Sequence, residues 1–257
     1  MSEFELARYR AMADNAKREE GPSWMAAGIM PGARVADIGC GPGIILAELA
    51  RQVLPNGTVV GVERDPEARA KAEAYLRALS ITNAAVIGGA ADATGLDRQS
   101  VDVVMMRHVL AHNGGNEEKI IAHLSTLLRN GGHLYLVDTD LTAARIRPVD
   151  PDIEDLSNRY INYLKSLGND VSIGLRLGEL VKGAGLVTTE RDARYQIIDS
   201  VKGIRPPSWA AHQSMVNAGA ATVEDVARWD AALHRYEELQ SDKVVFAPIF
   251  RVVARRP

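Results

Sequence analysis

Val35-Ala36-Asp37-Ile38-Gly39-Cys40-Gly41-Pro42-Gly43 is the stretch that decides the fold. An apolar run carrying one acid ends in glycines at alternate positions, and a helix-forming segment from Ile44 to about Val53 follows. The run reads as a short buried strand. The glycines let the backbone turn at positive φ and approach a ligand closely. The helix that opens there begins with N–H groups lacking intrahelical partners. Strand, tight turn and helix start together make a nucleotide-type pocket. The spacing argues against a dinucleotide fingerprint, because G-x-G-x-x-G counted from Gly39 meets Ile44 where its packing glycine would stand.

Further elements follow at matching distances. Thr58 to Val62 is a second apolar strand closed by Glu63, an acid placed to bond ribose hydroxyls, with Arg64 behind it. Ala84 to Ile87 reads as a third strand, followed by a loop from Gly88 to Ala93 that holds Asp92. Val101 to Met106 is a fourth, closed by Arg107-His108-Val109-Leu110-Ala111-His112. Leu127 to Asp138 reads as a helix end, a Gly131-Gly132 turn and a fifth strand. Strand and helix alternate throughout, which implies parallel pairing with right-handed crossovers.

Asp37 with the G-x-G-x-G of Gly39, Gly41 and Gly43 resembles motif I of the class I S-adenosylmethionine (SAM)-dependent methyltransferases, and the resemblance runs over about residues 30–140. It implies a Rossmann-like α/β fold, with a seven-stranded, mostly parallel sheet, an antiparallel last strand and a helical lid. It implies SAM as cofactor, bound by Asp37, Gly39, Gly41, Gly43, Glu63, Arg64, Asp92, Ala93 and Arg107. In the family, an acid in the loop holding Asp92 bonds the adenine amino group. Tyr9, on an N-terminal helix from about Glu5 to Arg18, resembles a tyrosine that many small-molecule methyltransferases bring over the cofactor. For Arg107, structural ion pairing is an equal alternative to contact with the cofactor's carboxylate or the acceptor.

The whole chain, residues 1–257, reads as one methyltransferase domain, with lid elements at about 1–25, 150–170 and 200–241. Helices are expected at Pro66–Leu79, Glu117–Leu128, Ile153–Leu167, Leu175–Ala184, Ser208–Ala218 and Val223–Gln240, and a final antiparallel pair at Val187–Ile198 and Val244–Ala254. In an open α/β sheet the ligand crevice lies at the carboxyl ends of the strands, so helices inserted after strands five and six can cover it. The alternative is that they pad the sheet or form a homodimer contact.

A sulfonium methyl is already activated, so the protein must align donor and acceptor and exclude water. A hydroxyl acceptor also calls for a general base. His108 and His112 lie just after strand four, and a helical turn would set them on one side. His212, beside Trp209 in the lid, is comparable. Tyr160, Tyr163, Trp24 and Trp209 either line an acceptor pocket or fill core. Asp138 and Asp140 raise the question of a catechol-type metal site. Such a site needs an acid where Arg107-His108 stands, so no metal is expected.

Composition agrees. The chain has 257 residues, a formal net charge of −3 and no dense basic run, which makes nucleic acid a poor partner. No apolar stretch reaches the roughly 18 residues of a membrane span. Met1 to Arg10 lacks an apolar core and does not read as a secretory signal. The single cysteine, Cys40, suits a cytoplasmic setting and a filler role in the turn. The expected activity is methyl transfer to a small organic acceptor, first the hydroxyl oxygen of a secondary metabolite or quinone-like compound. The alternatives are a SAM-binding protein without transfer, such as a cyclase or regulator, and a nicotinamide oxidoreductase.

Overall fold

The structure, a computed structural model, describes residues 3–199, 205–239 and 243–257. The amino-terminal half alternates as read. Helix α1 (Glu3–Ala26) is followed by β1 (Arg34–Ile38), α2 (Ile44–Gln52), β2 (Thr58–Glu63), α3 (Pro66–Ala78), β3 (Ala84–Gly88), β4 (Val101–Arg107), α4 (Glu117–Leu127) and β5 (Leu128–Thr139). Then come β6 (Arg145–Arg147), α5 (Pro151–Ser166), α6 (Leu177–Gly183), β7 (Val187–Asp199), α7 (Pro207–Ala210), α8 (His212–Asn217), α9 (Val223–Glu238) and β8 (Val244–Arg255).

The strands stand in the order β3-β2-β1-β4-β5-β8, with β1 to β5 parallel and β8 reversed. β7 pairs antiparallel along the whole of β8, from Val187↔Arg255 to Asp199↔Val244. The mostly parallel, Rossmann-like sheet with its antiparallel last strand is therefore the observed fold. An eighth, three-residue strand, β6, adds to the seven expected by pairing with Val244 to Phe246 where β8 runs beyond the end of β5.

Alternation along the strands builds two cores. Ile38, Val104, Met106 and Leu136 face α4 and α6 through Ile120, Leu124, Leu177 and Leu180. Val35, Met105, Tyr135 and Val137 face α1, α2 and α3 through Trp24, Leu46, Leu49 and Leu76. Asp65 caps α3 by accepting from the N–H of Glu67 at 3.0 Å, with Pro66 at the first helical position. α5 starts two residues ahead of the expected Ile153, because Asp150 is its N-cap and Pro151 its first residue.

The helices α5, α8 and α9, expected as part of a lid, form a third core of their own. Ile153, Leu156, Tyr160 and Leu164 of α5 pack with Met215 of α8 and with Trp229, Leu233 and Tyr236 of α9. Arg228 on α9 bonds Asp152 (2.6 Å) and Asp155 (2.8 Å) on α5. The helix expected over Ser208–Ala218 is broken into α7 and α8. Of the expected lid, residues 1, 2, 200–204, 240 and 241 lie outside the described residues.

Candidate active site

The turn after β1 holds Gly39, Gly41 and Gly43 at φ 74°, 52° and 80°, all in the left-handed region. The three serve different ends. A Cβ on Gly39 would lie 2.5 Å from the Val109 side chain, so the turn interlocks with the loop after β4. A Cβ on Gly43 would lie 2.9 Å from Ala72 Cβ on α3. Gly43 thus does the close packing that the sequence reading found missing at Ile44. A Cβ on Gly41 would meet nothing within 4 Å, which leaves that backbone open to a ligand.

Glu63 ends β2 and turns back over this opening. Its Oε2 accepts the N–H of Gly41 and its Oε1 the N–H of Asp65, both at 3.0 Å. Asp37, on β1, is 4% exposed, and its Oδ2 has no hydrogen-bond partner. Burial pushes its carboxyl up to about 7, with Arg107 opposing the rise and Glu63 adding to it. A buried carboxylate oxygen without a donor, beside an uncovered turn, fits a ligand that brings a cationic donor. The residues present therefore fit a nucleoside cofactor carrying a positively charged end. Cys40 is 7% exposed, and its Sγ would lie 2.7 Å from a Cβ on Gly61, so it packs over the bare backbone of β2 beside Leu46. Burial also pushes its thiol up, away from thiolate chemistry.

The other expected cofactor residues stand on α1, at the ends of β2 and β4, and in the loop after β3. Asp92 accepts from Lys119 at 2.6 Å, which holds its carboxyl below the usual range. The N–H of Ala93 closes a turn on the carbonyl of Ala90. The Arg64 side chain is exposed at the tip of β2. Tyr9 is half-buried on α1, one residue from Arg10, whose guanidinium lies 5.8 Å from the Tyr75 ring on α3. Arg107 has two of its donor positions committed to Glu20 of α1, Nε to Oε2 at 2.9 Å and Nη2 to Oε1 at 2.5 Å. Tyr135 Oη (2.9 Å) and Trp24 Nε1 (3.4 Å) donate to the same carboxylate. Arg107 thus makes the structural ion pair, the second of the two roles open to it. Glu20 was not legible as its partner, since nothing local links residues 87 apart.

The histidines are arranged differently from the helical pair expected. His108 stands outside the turn at φ 55°, with its N–H bonded to Val137 O at 2.8 Å. His112 ends a short 3₁₀ turn, Leu110–His112, and is exposed. Val109 between them packs on Gly39, and the left-handed backbone of His108 keeps the two histidines out of one continuous helical turn. Burial, then the Arg107 charge, pull His108 down to about 4, and the ring is neutral at neutral pH. At the start of α8, His212 Nδ1 lies 2.6 Å from the carbonyl of Trp209, and the two rings stack at 4.5 Å. A carbonyl only accepts, so Nδ1 carries the proton and Nε2 of the neutral ring keeps its lone pair.

Trp24, Tyr160 and Trp229 are buried core residues. Asp138 is taken up by backbone, accepting from Thr139 (3.0 Å) and Ala111 (3.3 Å), and thereby props the 3₁₀ turn that ends in His112. Asp140 accepts from Thr142 and Ser172. Among the described residues no group of three His, Cys, Asp or Glu side chains is placed to hold a metal ion. Nor is any described helix long and apolar enough to cross a membrane.

Comparison with known proteins agrees with this geometry. Residues 29–190 match the family model of a methyltransferase domain, which is more than half of the chain. The chain therefore belongs to the methyltransferase-domain family, the SAM-dependent class that its glycine turn resembles. It is similar to an uncharacterised 37.1 kDa protein of transposon TN4556 in Streptomyces fradiae, at 29% identity over 183 residues. That match covers 68% of this chain and 51% of the relative, so the chain spans about half the length of that curated relative. In fold it is similar to a candidate sarcosine dimethylglycine methyltransferase of Galdieria sulphuraria (TM-score 0.61, 17% identity, 94% of this chain and 86% of that one). It is also similar in fold to a cyclase of the 4+2 type (TM-score 0.57, 18% identity, 96% and 80%).

Proposed function

We propose that the protein transfers a methyl group from SAM to a small organic acceptor. The observation that carries this is the open backbone at Gly41, flanked by the Glu63 carboxylate and by the buried, donorless Oδ2 of Asp37, in a chain of the methyltransferase-domain family. In this reading Glu63 exchanges its bond to Gly41 for the ribose hydroxyls, Asp37 takes the ammonium of the amino-acid end, and Asp92 and Ala93 lie at the adenine. Tyr9 and Arg64 border the pocket. When bound, SAM supplies an electrophilic methyl on sulfur. The chain's own work is to hold the acceptor in line and keep water out, and the lid is suited to both.

The acceptor we favour is a hydroxyl of a secondary metabolite or quinone-like compound. His212, with its tautomer set by the Trp209 carbonyl, is the best prepared base, followed by His108 and His112. The setting we favour is the cytoplasm, consistent with a single, buried cysteine. Similarity to a cyclase keeps a second reading, SAM bound without transfer. Calorimetry with S-adenosylhomocysteine and with NAD, followed by transfer of labelled methyl to a panel of hydroxylated and amino acceptors, tests both. Binding of S-adenosylhomocysteine with no labelled product favours the second reading, and binding of NAD alone rejects both.

A further inference from the structure

Asp37 and Arg107 sit diagonally on neighbouring strands. Asp37 is in register with Met105, and Arg107 lies two residues farther along β4. Side chains two apart on a strand share a face, so Asp37, Met105 and Arg107 all point toward α1. Arg107 is a cation whose charge acts on Asp37, yet Oδ2 of Asp37 has no donor. The reason is Glu20, which faces the same guanidinium from α1 and holds it through two hydrogen bonds.

Glu20 is itself fixed. Its side chain is 7% exposed, and Tyr135 and Trp24 also donate to it. Burial works to raise its carboxyl, but the charge and hydrogen bonds of Arg107 outweigh that and hold it below the usual range. The helix around it is anchored as well. Buried Arg251 donates to Glu19 O at 2.6 Å and pairs with Asp192, and Ser23 donates to Glu190 at 2.5 Å. Glu20 thus meets Arg107 from a clamped stretch of helix.

We propose that Glu20 is a positioning residue: by holding Arg107, it keeps the buried oxygen of Asp37 unpaired for the ammonium group of the bound cofactor. This rests on the SAM reading above. Without the Glu20 charge, Arg107 turns to Asp37, satisfies Oδ2 and neutralises the carboxylate that the ligand needs. The loss falls on ligands that carry the ammonium and spares those that lack it.

S-adenosylhomocysteine and 5′-methylthioadenosine make that separation, because they share the adenosine and thioether while only the first has the amino-acid end. Calorimetry on the full chain is expected to show Glu20→Gln binding S-adenosylhomocysteine about tenfold more weakly, the worth of one charge-assisted hydrogen bond, with 5′-methylthioadenosine unchanged. Asp37→Asn is expected to lose the same discrimination, and adding Glu20→Gln to it is expected to change nothing further. Asp37→Asn removes a buried charge and serves as the foldable variant should Glu20→Gln fail to fold. Equal loss of both ligands in Glu20→Gln overturns the inference, since a merely structural role for α1 would act that way. So does unaltered discrimination in Asp37→Asn, or a full Glu20→Gln effect in the Asp37→Asn background. If the wild-type chain binds neither compound, the cofactor reading itself fails, and the inference falls with it.

Discussion

Glu63 reaches from the tip of β2 across to the turn after β1, where its Oε2 accepts the N–H of Gly41 at 3.0 Å. The acid read as a ribose ligand and the glycine read as the ligand's point of approach are therefore bonded to each other. Glu63→Ala is expected to weaken S-adenosylhomocysteine by about 1–3 kcal/mol through lost charge-assisted hydrogen bonds. Thermal stability should shift little, because the Glu63 carboxylate is only part-buried. Isothermal calorimetry beside a melting curve checks both, and unchanged affinity rejects Glu63 as the ribose ligand.

Gly41 and Gly43 should separate binding from stability. Gly41→Val places a side chain in open space but at φ 52°, so the protein should fold with a loss of about 1–2 kcal/mol and fail to retain the cofactor. Gly43→Ala drives a Cβ to 2.9 Å from Ala72, and the strain should cost about 1–3 kcal/mol in urea unfolding. The reverse pattern would mean that the turn is oriented away from the ligand.

Asp37 should trade stability for binding. Its folded-state carboxyl stands near 7 against an ordinary 3.8, so the folded chain keeps a proton that the unfolded chain has already lost. The contribution of this group to stability therefore falls as pH rises from about 4 to about 7. Asp37→Asn should melt higher than wild type at about pH 8, with the gap closing toward about pH 4. The same variant should bind S-adenosylhomocysteine more weakly. A lower melting temperature at alkaline pH would contradict the burial argument.

The general base can be sorted by pH. If His108 removes the proton, the acid limb of kcat/KM, which reports the free enzyme, should lie near 4. A limb well above that value argues against His108 as the base. Alanine at the true base should lower kcat by about 10²–10⁴ with cofactor affinity near wild type. If all three single variants turn over normally, no histidine among them is the base, and the acceptor needs none.

Much of this arrangement was legible because it is local. Asp37, the glycines and Glu63 are placed by strand ends and a turn, and the N-cap of α3 by Asp65-Pro66. What escaped was set by distant partners. The N-terminal helix is expected to end near Arg18, yet α1 continues to Ala26, where Glu19, Glu20 and Ser23 are held by Arg251, Arg107 and Glu190. The packing role of Gly43 depends on Ala72, a helix away. The left-handed backbone of His108 follows from Val137 and Val109 holding the chain on both sides of it, which no helical periodicity can show.

The separate core of α5, α8 and α9 has a consequence for how the molecule opens. Trp229, Tyr160 and Met215 bury their surface chiefly against one another, and the Arg228 bridges to Asp152 and Asp155 close within the same set of helices. Backbone amides of these helices should exchange with solvent deuterium together, at a free energy below that of Val104 or Leu136 in the central strands. Asn169 Oδ1, which accepts the N–H of Gly114 at 3.0 Å, is one stitch between the segment after α5 and the loop after β4. On the function proposed above, a unit that can melt while the glycine turn stays intact would let bulky acceptors enter and products leave without releasing the nucleoside. Natural variation in the one can then proceed without disturbing the other.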